Sequence, residues 1–278
     1  MSDCNHDCAS CASKKDGTCN GEKPAGFAAP ANARSHVARV IAVMSGKGGV
    51  GKSLVTELLA VQAQKRGLRV AVLDADITGP SIPTAFGVKD RALADGEGIL
   101  PCRSESGIAL MSLNFLVENP ADPVVWRGPV LAGAVKQFWT DVHWGELDVM
   151  FVDMPPGTGD VPLTVFQSLP VDGVVLVTSP QDLVEMIVSK SAKMAAIMKK
   201  PILGLVENMS YLKCPDCGRI IEVFGKSTAE DLARRFSIPE TVRLPIDPAF
   251  SAAIDAGAAE TIDLPEFESF ASKMLADG

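Results

Sequence analysis

Aromatic side chains are scarce in this 278-residue sequence: three Trp, one Tyr and eleven Phe make up 5% of it, beside a hydrophobic fraction of 47%. A core built from such a chain must be aliphatic, as suits a sheet covered on both faces. Long apolar runs are also missing. No segment reaches about 18 residues without a charge or a turn signal, so no membrane span is expected. Basic tracts are absent too. Lys and Arg number 26 against 34 Asp and Glu, a net charge of −8, without an extended Lys/Arg run. That removes the electrostatic footprint of a protein that binds nucleic acid or an anionic membrane. Residues 1–20 are polar and lack the apolar centre of a secretory signal. The expected setting is cytoplasmic and reducing, with no nucleic-acid or membrane partner. Seven cysteines there point to metal or thiol chemistry rather than a disulfide scaffold.

Glycine is present where it matters. Gly46-Lys47-Gly48-Gly49-Val50-Gly51-Lys52-Ser53 lies between two apolar runs, Val37–Met44 and Leu54–Ala63. That is strand, glycine loop, helix. Glycines let successive N–H groups turn inward around a phosphate, and the helix that follows offers its positive end. Lys52 would reach the β- and γ-phosphates and Ser53 would hold Mg²⁺. Lys47 is either a solvated loop lysine or a second cation aimed at phosphates.

Residues 1–36 carry almost no large apolar side chain and cannot fold by burial alone. They hold Cys4, Cys8, Cys11 and Cys19 in a C-x3-C-x2-C-x7-C spacing. Four thiolates there could satisfy one zinc ion or one iron–sulfur cluster, and the spacing does not choose between them. The alternative is a tail whose cysteines are incidental. Residues 29–33 read as a linker, and residues 37–278 as one nucleotide-binding domain.

From Val37 onward strands and helices alternate. Expected strands are 37–44, 69–74, 108–115, 148–152, 173–178, 202–206 and 242–244. Expected helices are 52–66, 131–144, 161–169, one opening at Ser179-Pro180-Gln181-Asp182, then 227–236, 248–256 and 265–275. Residues 87–107 read as an irregular or hairpin region. Unbroken apolar strands alternating with helices predict an α/β fold, with a mostly parallel sheet covered on both faces and ligands at the C-terminal strand ends.

The acids and amides fall at those ends. Asp153 closes V-M-F-V and precedes Met154-Pro155-Pro156-Gly157-Thr158-Gly159-Asp160, placing it as the acidic partner of Mg²⁺ and the following loop as a γ-phosphate sensor. Asp74 and Asp76 end another strand. Asp74 suits the Mg²⁺ shell and Asp76 the attacking water, while the bland reading makes one of them a turn cap. Asn208 after L-G-L-V-E could read the edge of adenine or merely form a turn. Pro245-Ile246-Asp247-Pro248 is expected nearby. Residues 213–218 contain Cys214-Pro215-Asp216-Cys217, two metal ligands where four are needed. The missing pair must come from a second subunit, from the N-terminal cysteines or from solvent. A thioredoxin-like pair is disfavoured, because no helix starts at the first cysteine. Two knuckles facing each other across a two-fold axis would supply four thiolates.

The loop K-G-G-x-x-K-S resembles the deviant Walker A of the ParA/MinD/nitrogenase-iron-protein class, in which the early lysine crosses a dimer interface. From about Arg39 onward the chain is similar to the Mrp/ApbC/Nbp family of P-loop iron–sulfur cluster carriers. The matching segments are G-K-G-G-V-G-K-S, L-D-A-D-I-T-G-P-S, W-R-G-P at Trp126–Pro129, W-G-E-L-D, D-M-P-P-G-T-G-D, E-N-M-S at Glu207–Ser210 and C-P-D-C. The resemblance implies a homodimer with a [4Fe–4S] cluster bridged by Cys214 and Cys217 of both subunits. It also implies slow ATP hydrolysis, with Lys47, Lys52 and Asp76 as catalytic residues, and delivery of the cluster to apo iron–sulfur proteins. The N-terminal cysteines are spaced differently from the family's four-cysteine motif. A positioning ATPase of the ParA/MinD kind would need a basic surface or tail, and residues 264–278 are acidic. An electron donor like nitrogenase iron protein spaces its cysteines far apart. A zinc-stabilised NTPase is the remaining alternative.

Overall fold

The computed structural model describes residues 28–77, 79–117, 128–180 and 184–276. In chain order these form β1 (Ser35–Val37), β2 (Val40–Ser45), α1 (Lys52–Lys65), β3 (Val70–Asp74), α2 (Ile82–Ala85), β4 (Leu93–Ala94), β5 (Ile99–Leu100), β6 (Cys102–Arg103) and β7 (Ala109–Met111). There follow α3 (Gly128–Thr140), β8 (Gly145–Leu147), β9 (Val149–Asp153), α4 (Asp160–Ser168), β10 (Gly173–Thr178), α5 (Val184–Ile197), β11 (Ile202–Lys213) and β12 (Ile220–Ile221). The chain closes with α6 (Ala229–Phe236), β13 (Thr241–Pro245), α7 (Pro248–Asp255) and α8 (Pro265–Ala276).

The main sheet runs β12-β11-β10-β2-β9-β3-β7-β6, with β13 against β11. Every pairing from β13 through β7 is parallel, and β6 and β12 add antiparallel edges. All residues of β2, β3, β9 and β10 are buried. Successive side chains therefore feed two cores, because a strand's side chains alternate between faces. Val40, Ala42 and Met44 face Val135 and Phe138 of α3, Val165 of α4 and Ala192 of α5. Ile41 and Val43 face Val55, Leu58 and Leu59 of α1 and Phe267 and Phe270 of α8. Truncating a fully buried Leu such as Leu59 to Ala should cost about 2–5 kcal/mol. This is the expected α/β architecture, with α1 running directly out of the central strand β2.

Several boundaries differ from expectation. The first strand splits at Ala38 and Arg39, and β1 pairs with β8 in a separate small sheet. The strand expected over 108–115 is only β7, followed by a 3₁₀ turn at Leu113–Phe115. The helix expected over 131–144 runs over Gly128–Thr140; Trp144 lies beyond it and is buried, its indole N–H donating to the Phe138 carbonyl at 3.0 Å. The strand expected to stop at Val206 continues to Lys213. Part of the presumed linker is docked: the Trp139 indole N–H donates to the Ala29 carbonyl at 3.0 Å, and the Ala29 N–H donates to the Ser168 carbonyl at 2.8 Å. Cys4, Cys8, Cys11 and Cys19, and the helix cap expected at Gln181-Asp182, lie outside the described residues.

Candidate functional site

The glycine loop forms at the C-terminal end of β2, where sequence spacing places it. Gly49 and Gly51 have φ of 77° and 79°, a region that L side chains avoid. Gly51 is doubly constrained, because a Cβ there would collide with the Asn208 carboxamide nitrogen. The loop is seated from two sides. The Gly157 N–H donates to the Ser45 carbonyl at 2.9 Å, and the Asn208 Nδ2 donates to the Val50 carbonyl at 3.0 Å. The Pro155–Gly159 segment thus rests against the loop, and Asn208 joins it from the opposite flank.

Asp153 is the hub. Its Oδ1 accepts from Lys52 Nζ at 2.6 Å and from Thr56 Oγ1 at 2.9 Å, and its Oδ2 accepts from Ser53 Oγ at 2.6 Å. Lys52 is 6% exposed, and its Nζ also lies 3.6 Å from Asp76 Oδ2. Asp74 accepts from Ser112 Oγ at 2.9 Å and from the Asp76 N–H at 3.1 Å. Burial, then the charge of Asp153, holds the Asp74 carboxyl well above the usual carboxylate range. Glu57, one turn along α1 and fully buried, is raised for the same two reasons, and its Oε2 has no hydrogen-bond partner. Lys52, Ser53, Asp74, Asp76 and Asp153 are therefore brought together as expected. Thr56, Glu57 and Ser112 are further members that sequence reasoning missed. Thr56 sits one helical turn beyond Lys52, and Ser112 at the end of the strand beside β3; helical period and the strand-end rule could have found both.

A cleft of about 350 Å³ opens beside the loop, lined among others by Gly51, Asn208, Met209, Ile246, Asp247 and Phe250. Asn208 shares it with Pro245, Ile246 and Asp247 of the turn expected nearby.

The cysteine pair sits in a hairpin between β11 and β12. Leu212 and Lys213 pair with Ile221 and Ile220, and the Gly218 N–H closes the turn onto the Cys214 carbonyl at 2.9 Å. Hydrogen bonds from the backbone N–H groups of Cys217 and Asp216, and from the Cys217 thiol, hold the Cys214 thiol below its ordinary range. Among the described residues no group of three or more His, Cys, Asp and Glu could hold a metal. Cys102 is separate and buried, with its thiol pushed up by burial. Ile220, Ile221, Val223 and Phe224 lie exposed along the far limb.

A glycine cradle at the end of the central parallel strand, a buried lysine on the next strand's aspartate, and a carboxamide on the loop's flank together define a P-loop nucleotide-binding protein. Comparison with known proteins narrows the class. The chain belongs to the family described as ParA, the NUBPL iron-transfer P-loop NTPases, whose profile matches residues 36–276. An iron–sulfur cluster carrier protein of Clostridium perfringens is 44% identical over 268 residues, covering 91% of this chain and 93% of that one. A solved nucleotide-binding protein of Archaeoglobus fulgidus, in complex with ADP, is 43% identical with a TM-score of 0.76, covering 84% of this chain and 92% of its own. The MinD cell division protein of Aquifex aeolicus shares the fold at 19% identity and a TM-score of 0.58, covering 86% and 95%.

Proposed function

We propose that the protein binds and hydrolyses ATP and carries a [4Fe–4S] cluster between two copies of the chain, delivering it to apo iron–sulfur proteins. The observation that supports this reading best is the hairpin: two thiols two residues apart, one with a lowered pKa, extend from the strand whose Asn208 holds the P-loop, and could supply half of a four-thiolate site. A second hairpin facing it across a two-fold axis would complete the set. The exposed Ile220, Ile221, Val223 and Phe224 suit burial in such a contact. Cargo and dimer are then one property of the same element.

The P-loop residues divide the remaining work. Gly46 to Gly51 present N–H groups to the phosphates, with the α1 N-terminus behind them. Lys52 exchanges Asp153 for a phosphate oxygen, and Lys47 reaches the nucleotide of the second copy. Ser53 and Asp153 converge, and Asp74 stands beside them, so these residues would hold Mg²⁺. Ser53 Oγ donates to Asp153 Oδ2 at 2.6 Å, so a cation held there with phosphate oxygens as further ligands would supply charge neutralisation at the phosphates. Asp76 orients the attacking water, and Asn208 reads the base. The boundary expected at residue 36 moves toward the N-terminus, because Ala29 and Ser35–Val37 are part of the NTPase domain that runs on to residue 276; Cys4, Cys8, Cys11 and Cys19 are candidates for a second cluster. The cytoplasm is the compartment that keeps such thiols reduced; no helix among the described residues is long and apolar enough to cross a membrane.

Anaerobic reconstitution with iron and sulfide, followed by absorption and Mössbauer spectroscopy, tests this. With Cys4, Cys8, Cys11 and Cys19 changed to Ser, the chain should show a [4Fe–4S] signal that is lost when Cys214→Ala/Cys217→Ala is added. A colourless chain that takes up zinc stoichiometrically would instead favour a zinc-stabilised NTPase. Lys47→Ala should impair hydrolysis more than nucleotide binding; equal loss of both would argue against its interface role.

A further inference from the structure

The strand β11 does two jobs within a short span. Asn208 holds the P-loop through the Val50 carbonyl, and six residues later Cys214 opens the cysteine hairpin. Between them the ladder with β13 breaks. Glu207 is opposite Arg243 and Tyr211 is opposite Pro245, so four steps along β11 are matched by two along β13. Met209 takes up the excess in a left-handed conformation, φ 54°. Bulges of this kind re-aim side chains beside functional sites, and here the bulge turns Asn208 toward the loop.

A polar network spans the same bulge. Glu207 has no exposed side-chain surface. Its Oε2 accepts from Ser210 Oγ at 2.5 Å, and its Oε1 accepts from the Thr228 N–H at 3.0 Å, beyond the hairpin. Arg243 crosses from β13: its Nε donates to Ser210 Oγ at 2.7 Å and lies 3.6 Å from Glu207 Oε2. Its Nη2 donates to Glu222 Oε1 at 3.3 Å, on the far limb of the hairpin, and the guanidinium lies over the Tyr211 ring. One cation thus ties the residue before Asn208 to the residue after β12.

We infer that Arg243 is a positioning residue that couples the nucleotide cleft to the cysteine hairpin, through the Glu207–Ser210 bulge on one side and Glu222 on the other. The proposal rests on the carrier reading for the hairpin's role. Filling the cleft repositions Asn208; the bulge passes that shift to Arg243, and Arg243 passes it to the limb that carries Ile220 and Ile221. The coupling is reciprocal, so a metal on the cysteines must alter nucleotide affinity by the same factor.

The test uses the 278-residue, metal-free, reduced chain and needs no cluster, so its failure is distinct from failure of reconstitution. Iodoacetamide alkylation is followed at Cys214 and Cys217 by peptide mass spectrometry, with and without saturating Mg-ADP. The expected wild-type result is a reproducible change in alkylation rate, of either sign, when Mg-ADP saturates the cleft. Arg243→Met and Glu222→Gln should both abolish that response, and Glu222→Gln, which leaves the Glu207–Ser210 bulge in place, should keep the wild-type Kd for ADP. An unresponsive wild type overturns the proposal, as does a full response in either variant, or loss of ADP binding by Glu222→Gln. If Arg243→Met fails to fold, Glu222→Gln decides alone, since it leaves the bonds from Ser210 and Thr228 to Glu207 in place.

Discussion

Replacing Asp153 with Ala removes the acceptor of three buried or half-buried donors at once: Lys52 Nζ, Ser53 Oγ and Thr56 Oγ1. Removing one partner of a buried ion pair costs about 3–5 kcal/mol, because the other charge is left without compensation. Two features reduce that cost here. Asp76 Oδ2 remains 3.6 Å from the Lys52 ammonium. Asp74 and Glu57 also lose the negative neighbour that raises both of them. A net destabilisation of about 2–4 kcal/mol is the expected balance. For a chain of this size each kcal/mol moves the melting temperature by about 2–4 °C, so circular-dichroism melts in EDTA without nucleotide should show a drop of roughly 5–15 °C. Thr56→Val, which removes one hydrogen bond to the same carboxylate, should cost about 1.5–3 kcal/mol. A drop of less than about 2 °C for Asp153→Ala would refute the idea that this carboxylate organises the resting site.

Three further outcomes follow from the geometry. Gly51→Ala should abolish measurable ADP binding by calorimetry, since it combines a φ of 79° with a collision at Asn208; near-normal binding would mean that the loop tolerates a different backbone path. Glu57 and Asp74 titrate above their unfolded values, so between the ordinary carboxylate range and the raised folded value the native state binds more protons than the unfolded one. Their contribution to stability is therefore complete at low pH and falls as pH rises through that window, by about 1.4 kcal/mol for each unit of displacement. Glu57→Gln mimics the protonated acid and should stabilise the protein at neutral pH, with the gap to wild type closing toward pH ~4; melts across that range that stay parallel would contradict it. In the metal-free chain at neutral pH, Cys214 should alkylate well ahead of buried Cys102, and its rate should level off below the pH of an ordinary thiol; equal rates would remove the evidence for a poised thiolate.

What could be read from the residues alone was local. The glycine loop, the strand-end acids and the C-x-x-C pair are contiguous patterns whose chemistry is set by spacing, and each lies where it was expected. The misread end of β11 has a physical cause. Glu207, Asn208 and Ser210 look like the close of a strand because they are polar, yet each is buried and satisfied within the fold, so β11 runs on through a bulge to the hairpin. Ala29 looked like linker because it is small, but it is tied down by Trp139 and Ser168, more than a hundred residues away. The links from Ser112 to Asp74 and from Arg243 to Glu207 are likewise non-local, and neither partner carries a local pattern that names the other. Glu57 would pass for an ordinary helix residue until the sheet is in place behind it.

The central claim, a cluster shared by two hairpins, is tested most directly by iron stoichiometry against size. The 278-residue chain with Cys4, Cys8, Cys11 and Cys19 changed to Ser is reconstituted anaerobically and passed over a sizing column with iron, sulfide and protein assayed across the peak. A bridged [4Fe–4S] cluster predicts about two irons per chain in a species of twice the chain's mass, and loss of both the iron and that species when Cys214 and Cys217 are also replaced. Iron retained after that replacement, or a metal-loaded species of single-chain mass, would contradict it.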